Sequence, residues 1–269
     1  SGSKAVWDTL VKFVNELGIE IVESIELAKT VLVNGEGSMH HNKIHCNHKM
    51  RILNYAQQKE KNIYLINSLW ENNKVEIPSG LREKNRVVLR ENYSRDDLFE
   101  NYNLLGSVVP DLVCFSDESK QILNNLESKK NKNQKLRIGS TDFYLKNMDN
   151  WVRFSTGKYS DTKYIDLKSL SWVEILNEVL DLDILITGRH HAICACLITK
   201  TPFIPLRSNS HKIEGLLASS NNNISCIKDI KELDNLIEKI INGTLDEDFE
   251  KAYEWIRKFT IEDAIPIFN

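Results

Sequence analysis

Thr30 to Asn34 (TVLVN) is β-branched, apolar and uncharged, and it runs without a break into Gly35-Glu36-Gly37-Ser38. Such a run is a buried strand, and the turn after it should open a helix, here one carrying His41, His45 and His48. Strand, glycine turn and helix together are the repeating unit of α/β folds, whose sheets are parallel and covered by helices. Asn62 to Ile66 (NIYLI) and Arg86 to Leu89 (RVVL) repeat the pattern, and Leu112 to Phe115 is a further candidate strand. A helix comes before them all: Val6, Trp7, Leu10, Val11, Val14 and Leu17 fall at three- and four-residue steps, and Gly18 follows where a helix would stop.

Between Asn124 and Gln134 the chain turns Asn-Lys rich and loses its apolar period, as an exposed linker does. A boundary is therefore expected there, with one Rossmann-like domain over residues 1–128 and a second over 129–269. The α/β rhythm then resumes. A strand starts over Lys135 to Gly139, Ser171-Trp172-Val173-Glu174 is a capping box for a helix reaching about Leu180, and Asp183 to Thr187 (DILIT) is a buried strand. A helix over His191 to Ile198, a strand over Phe203 to Pro205, a helix from Ile213 and an amphipathic helical tail over Asp229 to Phe259 complete the reading. Two doubly wound halves facing one another would put a cleft between them.

Composition narrows the function. With 269 residues, 41% hydrophobic and 27% charged, the chain has the make-up of a soluble globular protein. Lys plus Arg (35) against Asp plus Glu (38) leaves a formal charge of −3, which gives no general affinity for nucleic acid. Five scattered cysteines make no disulfide framework and suit a reducing, cytoplasmic setting. No stretch reaches the roughly 18 apolar residues that would span a bilayer. Ser1-Gly2-Ser3 reads as a tag remnant, so a native leader could have been trimmed away.

Three clusters carry the chemistry. In the first, Gly35, Gly37 and Ser38 form a backbone turn at the carboxyl end of a strand, where open α/β sheets bind ligands, and the following helix start favours an anion. Glu36, His40 and His41 can move protons there near neutral pH. His41, His45, Cys46 and His48 match no strong zinc spacing, so no metal is expected. In the second, Arg90 follows a strand and suits a carboxylate or phosphate, with a surface ion pair to Asp96 or Asp97 as the plainer alternative. The third joins Arg189, His190 and His191 after the DILIT strand to Lys212 and Glu214 at the next helix. That is an anion pocket with a carboxylate for ribose or sugar hydroxyls.

At these residues the sequence resembles the polysaccharide pyruvyl transferase family. The resemblance runs through Asn34 to Ser38, Arg90-Glu91 to Ser94, Val109-Pro110-Asp111, Thr187-Gly188-Arg189 to Ala192, Thr201-Pro202 and Lys212 to Leu216. It differs at His190, a position usually apolar. It implies two Rossmann-like domains in a glycosyltransferase-B-like arrangement, with the acceptor and proton-transfer residues in the first and the donor pocket in the second. It also implies a role in bacterial surface polysaccharide: pyruvyl transfer from phosphoenolpyruvate to sugar hydroxyls as a ketal, with Arg90, Arg189 and His191 holding the donor. Phosphoenolpyruvate would be a substrate, and no cofactor is implied. A lipid-linked acceptor would bring the chain to the inner face of the membrane. The residues themselves leave open a glycosyltransferase of the same fold using a nucleotide-activated sugar, Lys212 and Glu214 serving the nucleotide, and an inactive binding module.

Overall fold

The computed structural model describes residues 1–125, 136–142, 161–229 and 231–267. The chain makes two compact units, one of Leu10–Leu112 with Phe259–Asn269, the other of Ser1–Thr9 with Val113–Lys258. Each is an α/β unit with its own four-stranded sheet, parallel throughout. The α/β class and the two Rossmann-like sheets are therefore as the sequence leads one to expect.

The chain opens with α1 (Gly2–Glu16), which buries Val6, Leu10 and Phe13 and leaves Trp7 exposed. In the first sheet, β1 (Thr30–Glu36), β2 (Asn62–Ser68), β3 (Val87–Leu89) and β4 (Ser107–Val108) lie side by side in chain order. Val31, Val33, Ile63 and Leu65 point into a core that α2 (Ile44–Gln58) closes with Cys46, Met50, Leu53 and Ala56. Those four recur at steps of three and four, a single helix face, which leaves His45 and His48 in solvent. Between β3 and β4 runs α3 (Asn92–Tyr102).

The second sheet is ordered β6-β5-β7-β8, from β5 (Arg137–Ser140), β6 (Asp161–Tyr164), β7 (Ile184–Thr187) and β8 (Phe203–Pro205). Around it lie α4 (Asp117–Asn125), α5 (Trp172–Leu180), α6 (His190–Thr199) and α7 (Lys212–Ser219). Ser171 and Glu174 form the expected capping box at the start of α5. The tail is helical but broken, into α8 (Glu232–Ile241) and α9 (Asp246–Arg257), because Gly243 turns the chain with a φ of 72°. A short α10 (Ile261–Ala264) belongs to the first unit. Helix α6 is apolar on every side and buried accordingly, with α4, α5 and α9 packed against it. Among the described residues no helix is long and apolar enough to cross a membrane.

One local expectation is corrected. Leu112–Phe115 is a 3-10 turn and β4 is the preceding Ser107–Val108 pair. The apolar run is buried, but the Ser119 hydroxyl takes the Val113 carbonyl and the Asn67 side chain takes the Leu112 amide, so no ladder forms. The chain changes unit at Leu112 and Val113, ahead of the 128/129 boundary that composition places in the Asn-Lys stretch. The reason is packing: α4 lies on α5 and α6, and the Trp172 indole donates to Ser119 Oγ at 3.0 Å. Residues 126–135 of that stretch lie outside the described residues.

All five cysteines are free and buried. Burial pushes Cys46 up to about 11 and Cys226 up to about 12. A hydrogen bond with Cys114 and burial hold Cys194 well above the usual thiol value, and burial does the same for Cys196. Thiolates are the reactive form. At pH 8 a thiol reagent should therefore leave the native protein unmodified over minutes in which the guanidinium-unfolded chain titrates all five cysteines. A fast native thiol would contradict this packing.

Candidate functional site

In the first unit the sequence-predicted residues gather at the carboxyl edge of the sheet, and the turn after β1 is the centre of the group. A Cβ at Gly35 would overlap the Ser68 side chain and lie 2.9 Å from its Cα, so this glycine is required by the close approach of β2. Glu36 carries the left-handed backbone, with a φ of 44°. Gly37 lies beside the Arg90 guanidinium, Nη2 being 3.4 Å from where a Cβ would sit. Ser38 Oγ donates to the Gly35 carbonyl at 2.9 Å, and Lys49 Nζ of α2 donates to both Gly35 O and Ser38 Oγ at 2.8 Å. Burial lowers the pKa of Lys49; the Glu36 charge opposes that shift and Arg90 adds to it. Glu36, Lys49 and Arg90 thus feel one another electrically. Lys49 is a site residue that the sequence reading missed, and its signal is modest: a lysine next to the buried face of the helix that follows the glycine turn.

Arg90 is not a surface ion-pair partner of Asp96 or Asp97. It is 2% exposed, and its Nη1 meets Asp111 Oδ2 at 2.6 Å with Asp111 fully buried. Asp96 pairs with Arg95 instead, and Asp97 accepts from the Asn72 amide. Parallel strands explain the pairing, because β3 and β4 both end at this edge and deliver Arg90 and Asp111 to one place. The intervening Glu91 and Ser94 are structural. The Glu91 carboxylate caps α3 by accepting from the Ser94 amide and hydroxyl, and Ser94 Oγ accepts from the Trp70 amide at 2.7 Å. Among the described residues no hydrogen bond reaches Arg90 Nε.

The histidines divide. His45 and His48 stand exposed on α2 while Cys46 is buried, so these side chains do not converge with His41. His40 is 2% exposed and its Nδ1 lies 2.9 Å from Nδ1 of the exposed His41. Lys43 Nζ reaches His40 Nε2 at 3.1 Å, and Glu71 stands 3.6 Å from His41 Nε2. His40, His41 and Glu71 are the group among the described residues whose geometry could hold a metal ion.

In the second unit the carboxyl edge is also charged. Arg189 donates its Nε to Asp142 Oδ1 at 2.9 Å and its Nη2 to Oδ2, a bidentate pair. The Arg189 amide donates to Thr187 Oγ1, which also bonds Thr141, so the Thr-Gly-Arg turn is held from both sides. His190, grouped above with the anion pocket, is turned into the core: it is 5% exposed and lies beside Cys194. His191 is less buried, and its ring packs on Gly2 in the first turn of α1. Lys212 donates to Asn209 Oδ1 at 2.9 Å. Glu214 has Arg207 as its ion-pair neighbour at 3.6 Å. Asp142, Arg207 and Asn209 were not singled out by the sequence reading.

Against known families, the description Polysaccharide pyruvyl transferase matches residues 2–210. The chain belongs to the polysaccharide pyruvyl transferase family. It is thus a member of a transferase family that modifies surface polysaccharide. No curated protein matches it. The match takes in Glu36, His40, His41, Arg90, Arg189, His190 and His191, and it ends just before Lys212 and Glu214. In this chain the buried Arg90–Asp111 pair gives a sharp expectation. Removing one partner of a buried pair leaves an uncompensated charge, so Asp111→Asn should destabilise the fold by about 3 kcal/mol. In denaturant titrations Arg90→Met with Asp111→Leu should recover much of that loss, and an Asp111→Asn variant as stable as the parent would show that the pair is not buried.

Proposed function

We propose that the chain transfers the pyruvyl group of phosphoenolpyruvate to two hydroxyls of a saccharide, forming a ketal during the building of bacterial surface polysaccharide. The observation that carries this reading is Arg90: a buried guanidinium held by Asp111, backed by the Gly37 main chain, and with Nε unbonded among the described residues. A fixed cation with an open donor edge suits a carboxylate or phosphate, and phosphoenolpyruvate has one of each. Family membership supports the donor further.

In the reaction two sugar oxygens bond to C2 of the donor, the bond from C2 to the enol phosphate oxygen breaks, and the methylene carbon becomes a methyl. Of the two hydroxyl protons, one ends on that carbon and one on phosphate. Glu36 with His40 or His41 handles the protons in the first unit, where the Gly35, Gly37 and Ser38 turn braced by Lys49 and the Arg90 guanidinium offer donors to an anion; Arg189, His191 and Lys212 are the anion-binding groups of the second unit. Glu214 Oε1 has Arg207 at 3.6 Å while its buried Oε2 takes no hydrogen bond among the described residues, so the nucleotide-sugar reading is separated by ligand binding and not by this contact. The setting is cytoplasmic, at the inner face of the membrane when the acceptor is lipid-linked.

A thermal-shift comparison tests the donor. A ligand at a hundred times its Kd stabilises by about 2.7 kcal/mol, and phosphoenolpyruvate should do so while cytidine and uridine nucleotides do not. Arg189→Ala should weaken phosphoenolpyruvate binding by at least about 2 kcal/mol without unfolding the protein. Stabilisation by a nucleotide alone, lost in Glu214→Ala, would replace this reading with a glycosyltransferase.

The reading needs no metal, since Arg90 already supplies a fixed cation at the first unit's sheet edge. Chelator should change neither activity nor melting temperature. Activity lost to chelator and restored by one divalent ion would reverse this.

A further inference from the structure

We propose that Glu71 and Lys43 fix the tautomers of His40 and His41, leaving Nε2 of His40 as the proton-accepting nitrogen of the first unit. This rests on the reading above that one of these imidazoles moves protons. The support begins in the backbone. His40 and Glu71 form a parallel bridge, the His41 amide donates to Glu71 O at 2.8 Å, and the Glu71 amide donates to Met39 O at 3.2 Å. Asn73 ties the same loop down, donating to Met39 O at 2.8 Å and accepting from the Asn42 amide at 3.1 Å. His41 and Asn42 both hold a φ of 52°, a left-handed geometry that persists where surrounding contacts over-determine it. The imidazoles are therefore set by the chain, edge to face at 5.1 Å.

Proton counting then gives the chain a direction. An ammonium only donates, so Lys43 at 3.1 Å makes His40 Nε2 an acceptor and puts the ring proton on Nδ1. That N–H points at Nδ1 of His41, 2.9 Å away, which must accept; the His41 proton is then on Nε2, facing the Glu71 carboxylate at 3.6 Å. The reverse order would set an N–H of His40 against an ammonium and a lone pair of His41 against a carboxylate. Both contacts are repulsive. Lys43 is exposed and free to swing off, so the lone pair it covers can pass to an incoming hydroxyl. Once His40 takes that proton, its positive charge is met through His41 by Glu71, whose side chain is only 14% exposed. Glu71 and Lys43 are positioning residues in this scheme, because they act through the imidazoles.

Imidazole nitrogen NMR of the full chain reads the tautomers directly, whether or not the protein turns over phosphoenolpyruvate. The parent should show His40 protonated on Nδ1 and His41 on Nε2. In Glu71→Met, which leaves the main-chain bridge intact, His41 should populate both tautomers; in Glu71→Gln the amide oxygen should restore the parent pattern. For the active protein, Glu71→Met should lower kcat by at least about tenfold with KM for phosphoenolpyruvate within about twofold, the size expected for a disturbed proton transfer. His40 protonated on Nε2 in the parent, tautomers indifferent to Glu71→Met, or one equivalent of zinc bound through both Nδ1 atoms would each overturn the proposal. The expected tautomers in a protein that never consumes phosphoenolpyruvate would instead sink the assigned reaction and leave the hydrogen-bond chain standing.

Discussion

The buried ion pair between Arg90 and Asp111 is the constraint on which the first unit's site depends. Taking both charges out of water costs several kcal/mol each, and their attraction only offsets that cost when the geometry is good, so such a pair is weak evidence for stability. What it does provide is a guanidinium that cannot wander. Its Nη1 is committed to Asp111 at 2.6 Å, its Nη2 edge lies along the Gly37 main chain, and its Nε is the donor that no described residue takes. Everything around the turn follows from keeping that position open. Gly35 lets β1 close onto Ser68, Lys49 braces the carbonyl and hydroxyl of the turn, and Glu36 accepts a left-handed backbone where a glycine would be easier.

The fold was legible wherever one segment carried its own signal. β1, β2, β7 and β8 announce themselves as short uncharged runs, and α5 by a capping box. Where the signal was short or ambiguous it failed. β4 is two residues long, and Leu112–Phe115 has the composition of a buried strand but spends its polar backbone groups on Asn67 and Ser119. Periodicity cannot separate those cases.

The site was legible to a different depth. Glu36, Arg90, Arg189 and Lys212 stand out because charge directly after a buried strand, or at the helix start that follows one, is unusual. Their partners Asp142 and Asn209 do not, and Asp111 shows only as part of the Val109-Pro110-Asp111 motif, since what makes each a partner is the meeting of chain segments at a sheet edge. Arg90 and Asp111 are 21 residues apart, and Arg189 and Asp142 are 47 apart. Glu71 illustrates the same limit. Nothing local marks it, yet a parallel bridge sets it beside His40.

The two units hold their sheet-edge arginines with different degrees of commitment. Arg90 and Asp111 are 2% and 0% exposed, while Arg189 and Asp142 are 27% and 29% exposed. Coulomb attraction is several times stronger in the drier setting, so the first pair is a fixture, whereas water can compete for the second and an arriving anion can take donors from it. Each described arginine of the site, like Arg207 with Glu214, thus comes with its own counter-charge. On the function proposed above, that is how a chain with a formal charge of −3 would meet an anion: by oriented donors at fixed places and not by an excess of positive charge.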